Sequence, residues 1–268
     1  MASPASGTPI VDVDWLIGHR NDPAVLIVDV RPTPQYLAGH LPGAISLDVA
    51  ALRLPASDEQ TIAAWTAHLQ KGLRAAGIRA DQQVIFYEEI SGTLAAFGIW
   101  LLDVAGLGNG AMLDGGLRAW LAAGQELSQD VTEPARSDIE ITLDRKALAT
   151  ADEILGHLDD QDALFQLVDT RGAAEHQSGT IPTSTNIEWT SHLDPATGKL
   201  KSPDELRRLY TDVGLKSDAP TATYCAGGFR AAHTYVVLKS LGFTDVQNYA
   251  PSWAEWSQRP DTPVETGE

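Results

Sequence analysis

The chain has 268 residues, 43% apolar and 21% charged, which suffices for a sizeable core and for one large or two medium domains at about 100–200 residues per domain. Nineteen Lys and Arg against 36 Asp and Glu leave a formal charge of -17, a surface that repels phosphate backbones and disfavours bulk nucleic-acid binding. The longest apolar run, Leu94 to Leu102, stops at Asp103, far short of the ~20 residues a membrane span needs. The first 30 residues have no basic stretch followed by an apolar one, so a cytoplasmic protein with no membrane partner is expected.

In chain order, the first apolar run is Val25–Val30, which contains Asp29 and is followed by Arg31, and a Gly39-His40-Leu41-Pro42 turn comes next. Val84–Tyr87 reads as another strand, followed by a Gly-containing loop and a helix-like stretch opened by Ala95-Ala96. The polar stretch Gln125–Asp144 has no sustained period and reads as a linker. The same order then recurs. Leu164–Thr170 carries Asp169 and is followed by Arg171, and Gly179-Thr180-Ile181-Pro182 follows. Ser202-Pro203 is a helix start, with a capping hydroxyl and a proline at the first helical position. Thr221–Tyr224 answers Val84–Tyr87, and Arg230–Leu241 reads as a helix stopped by Gly242.

The intervals repeat as well. Ala95 to Trp120 and Ala231 to Trp256 are both 25 residues, and Asp29 to Tyr87 spans 58 against 55 for Asp169 to Tyr224. A tandem duplication explains this. Strand-like runs alternating with helical patterns predict an α/β fold, each half a mainly parallel sheet flanked by helices. The expected division is 1–127, a linker 128–143, and 144–268.

A single cysteine, Cys225, excludes an intramolecular disulfide and a thiolate cluster for metal. It is either a buried inert thiol or a reactive centre. Its surroundings favour the second. Tyr224-Cys225-Ala226-Gly227-Gly228-Phe229-Arg230 lies between a strand and a helix, where free N–H groups converge on the strand end. The paired glycines let successive amides face one point, and a thiolate there gains charge-assisted hydrogen bonds, with Arg230 adding positive charge.

Asp29-x-Arg31 with Gly39-His40-Leu41-Pro42-Gly43-Ala44, Leu113-Asp114-Gly115-Gly116-Leu117-Arg118-Ala119-Trp120, and Asn248-Tyr249-Ala250-Pro251-Ser252-Trp253-Ala254-Glu255-Trp256 resemble the landmarks of rhodanese domains. From about Val11 to Arg259 the chain is similar to tandem-domain thiosulfate and 3-mercaptopyruvate sulfurtransferases. The resemblance implies that the Cys225 thiolate takes the outer sulfur of a small donor and holds it as a persulfide. A thiol such as thioredoxin or glutathione, or cyanide, then removes it, with no metal or organic cofactor. It makes Cys225 catalytic and Ala226, Gly227, Gly228, Phe229 and Arg230 substrate-binding through loop amides and the guanidinium. Glu88 stands where Cys225 would fall in the first half, so that half is expected to be non-catalytic.

Further residues keep two readings each. His40 either reaches the cleft, as in the mercaptopyruvate branch, or anchors its loop. Asp169 and Arg171 either brace the loop or touch substrate, Trp253 belongs to core or cleft, and His233 to packing or site. Cys225-Ala226-Gly227-Gly228-Phe229-Arg230 matches neither branch's usual loop, and its terminal Arg favours thiosulfate as donor over 3-mercaptopyruvate. Glu175 stands where some members place a substrate-binding Arg. Gly179-Thr180-Ile181-Pro182-Thr183-Ser184 and Asn248-Tyr249-Ala250-Pro251 depart from the family's usual turns, and Pro251 points to a remodelled one. Two other functions compete: a catalytically degenerate binding or regulatory module, and a phosphatase or arsenate reductase of the Cdc25-like kind. The latter loop has five residues between Cys and Arg, whereas four separate Cys225 from Arg230.

Overall fold

The computed structural model describes residues 8–159 and 164–266. They form two α/β units. The first comprises the chain through Leu52, Thr66–Leu143 and Leu193–Leu200, and the second comprises Arg53–Trp65, Asp144–His192 and the chain from Lys201.

The first unit is built on a five-stranded sheet of order β1-β5-β4-β2-β3, every pairing parallel. Its strands are β1 (Ile10–Val11), β2 (Val25–Asp29), β3 (Ile45–Ser46), β4 (Gln83–Tyr87) and β5 (Gly110–Leu113). Helices α1 (Val13–His19), α2 (Thr33–Ala38), α4 (Thr93–Val104) and α5 (Gly116–Ala122) flank it, and α3 (Glu59–Ala75) has residues in both units. Parallel strands buried on both faces read as continuous apolar runs rather than alternating ones, and Val84, Ile85, Phe86 and Tyr87 are all buried.

The second unit repeats the plan with a four-stranded parallel sheet, β7-β6-β8-β9. Its strands are β6 (Gln166–Asp169), β7 (Thr185–Asn186), β8 (Thr221–Tyr224) and β9 (Val246–Asn248), and its helices are α6 (Ala151–Asp159), α7 (Ala173–Ser178), α8 (Pro203–Thr211), α9 (Phe229–Ser240) and α10 (Ser252–Trp256). Where the first unit adds β1 to its sheet edge, the second has one parallel bridge, Leu148 to Asn248. Ser202 caps α8 as its sequence suggests, exchanging hydrogen bonds with Glu205. The two equally spaced tryptophans are equivalent in place. Trp120 and Trp256 are fully buried, and each indole N–H donates to a carbonyl a few residues on, Glu126 and Pro263.

The register positions the site. Asp29 pairs with Tyr87 and Asp169 with Tyr224 on adjacent strands. Each aspartate therefore sits beside the strand whose next residue opens a loop, Glu88 in one unit and Cys225 in the other.

Candidate active site

Cys225 follows β8 directly and is 2% exposed, while the next residue, Ala226, is exposed. The N–H of Gly228 donates to its Sγ at 3.1 Å and that of Gly227 at 3.4 Å. The paired glycines thus form the expected nest, both of their amides donating to the sulfur. Gly228 caps α9 in a left-handed conformation, φ 95°, and a Cβ there would stand 2.5 Å from the Ala250 carbonyl oxygen. Both backbone conformation and space therefore require glycine.

The loop's other side is fastened by the start of α10. Trp253 and Ala254 donate their N–H groups to the carbonyls of Cys225 and Ala226, both at 3.0 Å. Ser252 accepts the Cys225 N–H at 3.0 Å and donates its hydroxyl to the Tyr249 carbonyl at 2.7 Å. It does so with φ 56°, a region in which a residue with a Cβ is held only by its surroundings. The residue of this turn that meets the loop is Ser252, which the sequence alone did not single out. Its first-unit equivalent, Gly116, has φ 54°.

Asp169 and Arg171 form a buried ion pair. The guanidinium donates to both carboxylate oxygens, at 2.6 Å from Nη2 and 2.9 and 3.1 Å from Nε, and Nη2 also donates to the Gly179 carbonyl at 2.7 Å. Burial alone would raise the Asp169 pKa, but hydrogen bonds from Arg171 outweigh it and hold the pKa below the ordinary carboxylate value. Asp29 and Arg31 make the same contacts in the unit without a cysteine, with Nη2 2.6 Å from Oδ2 and 2.7 Å from the Gly39 carbonyl. The pair is thus made even where there is no thiol, which accords with the bracing reading. The Tyr224 hydroxyl joins the network, 3.0 Å from Asp169 and 2.6 Å from Thr180 Oγ1, and burial pushes its pKa up to about 12.

Trp253 is half-buried, with the Arg171 guanidinium 4.5 Å from its ring centre, so it belongs neither wholly to core nor to open cleft. His40 is fully buried in the first unit. Its Nδ1 lies 2.8 Å from the Tyr36 carbonyl, its Nε2 3.1 Å from that of Asp130, and its ring stacks on Tyr36. These contacts describe a loop anchor. In the second unit Thr180 takes its place and bonds to Tyr224, and Thr183 adopts φ 66° where Gly43 has φ 79°. His233 is also fully buried, its Nδ1 3.3 Å from that of His192, whose Nε2 meets the Tyr210 hydroxyl at 2.6 Å. It packs the helix behind the loop.

Arg230 stands at the first turn of α9, but its charge is not free. Glu175 on α7 holds it through two hydrogen bonds, 2.6 Å from Nη1 to Oε2 and 2.9 Å from Nη2 to Oε1. The Arg230 pKa is raised, first by Glu175 and also by Cys225, while that of Glu175 is lowered, first by Arg230. The positive charge expected beside the thiol is therefore shared with a carboxylate that the loop sequence does not show.

Two stretches, 12–123 and 150–259, match the rhodanese-like domain. The chain belongs to the rhodanese family. Relatives align over nearly the whole length: a thiosulfate sulfurtransferase of Azotobacter vinelandii is 32% identical over 264 residues, covering 96% of both chains. Another, of Corynebacterium glutamicum, is 34% identical, covering 97% of this chain and 91% of the relative. A 3-mercaptopyruvate sulfurtransferase of Escherichia coli K12 is 28% identical, covering 97% and 99%. The crystal structure of the 3-mercaptopyruvate sulfotransferase SseA from Escherichia coli superimposes with a TM-score of 0.75 at 27% identity, covering 92% of this chain and all of that one. Tandem rhodanese domains and full-length sulfurtransferase relatives thus frame the Cys225 loop.

Proposed function

We propose that this rhodanese protein is a sulfurtransferase that carries sulfane sulfur on Cys225, with thiosulfate favoured over 3-mercaptopyruvate as donor. The observation that carries the reading is the Sγ of Cys225 facing two glycine amides at the junction of β8 and α9. That geometry favours a thiolate and, after transfer, a terminal persulfide sulfur of the same charge.

In the first step the thiolate attacks the outer sulfur of thiosulfate. A new S–S bond forms at Cys225, the donor's S–S bond breaks, and its electron pair leaves with sulfite. In the second step a thiolate or cyanide attacks the terminal persulfide sulfur and restores the Cys225 thiolate, so charge balances in both steps. The loop amides act as an oxyanion hole does, aimed at charge that remains on sulfur throughout. Thioredoxin or glutathione supplies the accepting thiol, in a reducing compartment such as the cytoplasm. No helix among the described residues is long and apolar enough to cross a membrane.

Intact-protein mass spectrometry after separate incubation with thiosulfate and 3-mercaptopyruvate tests this. One added sulfur, absent in Cys225→Ala and removed by cyanide, is the expected result. No addition from either donor, on a folded protein, overturns it.

A further inference from the structure

The charge around the Cys225 loop is not distributed as the loop sequence suggests. Arg171 is committed to Asp169, and Arg230 is clamped by Glu175. Glu175 is itself fixed from a second side, accepting the Gly172 N–H at 3.2 Å and so closing the start of α7. A carboxylate held in two places and paired to the loop's own arginine makes that end of the site neutral.

Another guanidinium lies beside the loop. Arg53, from the early segment that belongs to the second unit, brings Nη1 to within 3.1 Å of where a Cβ on Gly227 would stand. Gly227 is one of the two residues whose amides face Sγ. Arg53 is exposed and, among the described residues, meets no carboxylate. Its backbone is nonetheless well placed. Four residues on, Ser57 donates its N–H and hydroxyl to the two oxygens of Glu255, both at 2.7 Å, and its hydroxyl oxygen accepts the Ala151 N–H.

We propose that Arg53, rather than Arg230, recognises the anionic end of the sulfur donor, with Glu175 withdrawing Arg230 from that role. The inference rests on the reading of Cys225 as a persulfide carrier and deepens it. Arg53 stands beside Gly227, whose amide meets Sγ, so a donor that presents its outer sulfur to Cys225 can bring its far end to that guanidinium. The sulfonate of thiosulfate, or the carboxylate of 3-mercaptopyruvate, then comes to the free guanidinium. A planar guanidinium suits both, since each offers two coplanar oxygens to its paired N–H donors. Because Arg53 faces the trailing end of the donor and not the transferring sulfur, it acts on binding more than on the chemical step.

The test uses the full-length protein and two readouts. The first is the rate of Cys225 alkylation by iodoacetate divided by that by iodoacetamide, which reports local charge without any sulfur donor. The second is the KM and kcat of thiosulfate:cyanide transfer. Arg53→Gln is expected to lower the alkylation ratio several-fold and to raise the thiosulfate KM about tenfold with kcat within about twofold. Arg53→Lys should fall between it and the wild type. Glu175→Gln, which frees Arg230, should raise the ratio and lower KM. An unchanged ratio and KM in Arg53→Gln overturns the assignment even if persulfide forms. A wild type that accepts no sulfur, but whose alkylation ratio still drops in Arg53→Gln, upholds the charge assignment and overturns the donor reading instead.

Discussion

The two units place different side chains at the same junction of strand and helix. In the second, a thiol at the end of β8 receives loop amides. In the first, Glu88 at the end of β4 folds its carboxylate onto the start of α4, accepting the N–H groups of Leu94 at 2.7 Å and Ala95 at 3.0 Å. Burial raises the Glu88 pKa, and those two amides pull it back. The first unit's anion cradle is thus occupied by its own side chain. A Cβ on Gly92 would stand 2.4 Å from the Glu88 carboxyl carbon, so even the loop's glycine is given over to housing it. One scaffold offers its amides to an incoming anion, and the other has already spent them.

The comparison can be broken most sharply at the nucleophile. Cys225→Ala should reduce sulfur transfer to background while shifting Tm by no more than a few degrees, whereas Glu88→Ala should leave transfer largely intact and lower Tm. Activity surviving in Cys225→Ala would remove the asymmetry. Next in size are the two braces. Asp29→Asn and Asp169→Asn each leave a buried guanidinium without its counter-charge, at a cost of about 3–5 kcal/mol measured by urea unfolding. Comparable losses from both fit a purely structural pair. An activity loss in Asp169→Asn much larger than its stability accounts for would show that the second pair also serves the reaction.

Ser252→Gly copies Gly116 into the second unit. It relieves a left-handed φ costing of order 1 kcal/mol but removes the acceptor for the Cys225 N–H, a loss of about 1–3 kcal/mol. Turnover should fall about tenfold with little change in Tm, and unchanged turnover would mean the glycine turn holds the loop equally well.

The smallest effect concerns pH. The short 3-10 turn ending at Leu52 in the first unit ends at His192 in the second, and Phe97 on α4 corresponds to His233 on α9. Burial, then the neighbouring His233 and Lys201, lower the His192 pKa well below its ordinary value. The unfolded chain, with a His pKa near 6.5, therefore binds the proton that the folded one refuses. Stability is intact above about pH 6.5 and falls as pH drops below it, by at most about 1.4 kcal/mol per pH unit for this group. Asp169 acts lower down. Its depressed pKa stabilises the fold above about pH 4, and that contribution is lost as pH falls through the folded value. Urea unfolding across pH 7 to 5 should show the first loss, and His192→Leu should flatten it.

Much of this was legible in the sequence, because the signals are local or repeated. The strand runs, the Ser202 cap, the equal tryptophan intervals and the Cys-Gly-Gly loop each follow from neighbouring residues. What was not legible depends on residues far apart in the chain. Glu175 was visible as an anomaly, but that it faces Arg230 follows from the packing of α7 against the loop, 55 positions away. Pro251 marked an unusual turn without revealing that the strain falls on Ser252. Arg53 gave no local sign at all, since its importance comes only from where its segment is carried.

That segment also bears on how the chain must be made. Ser57 bonds to a carboxylate 198 positions later, and residues 53–65 complete a unit whose remaining sequence begins at Asp144. Severing the chain in the 128–143 stretch would not yield two self-sufficient modules: the later fragment would lack Arg53 and leave Glu255 without its serine partner. During synthesis the early piece emerges long before the surface that receives it. The second unit can acquire its final form only after nearly the whole polypeptide has appeared.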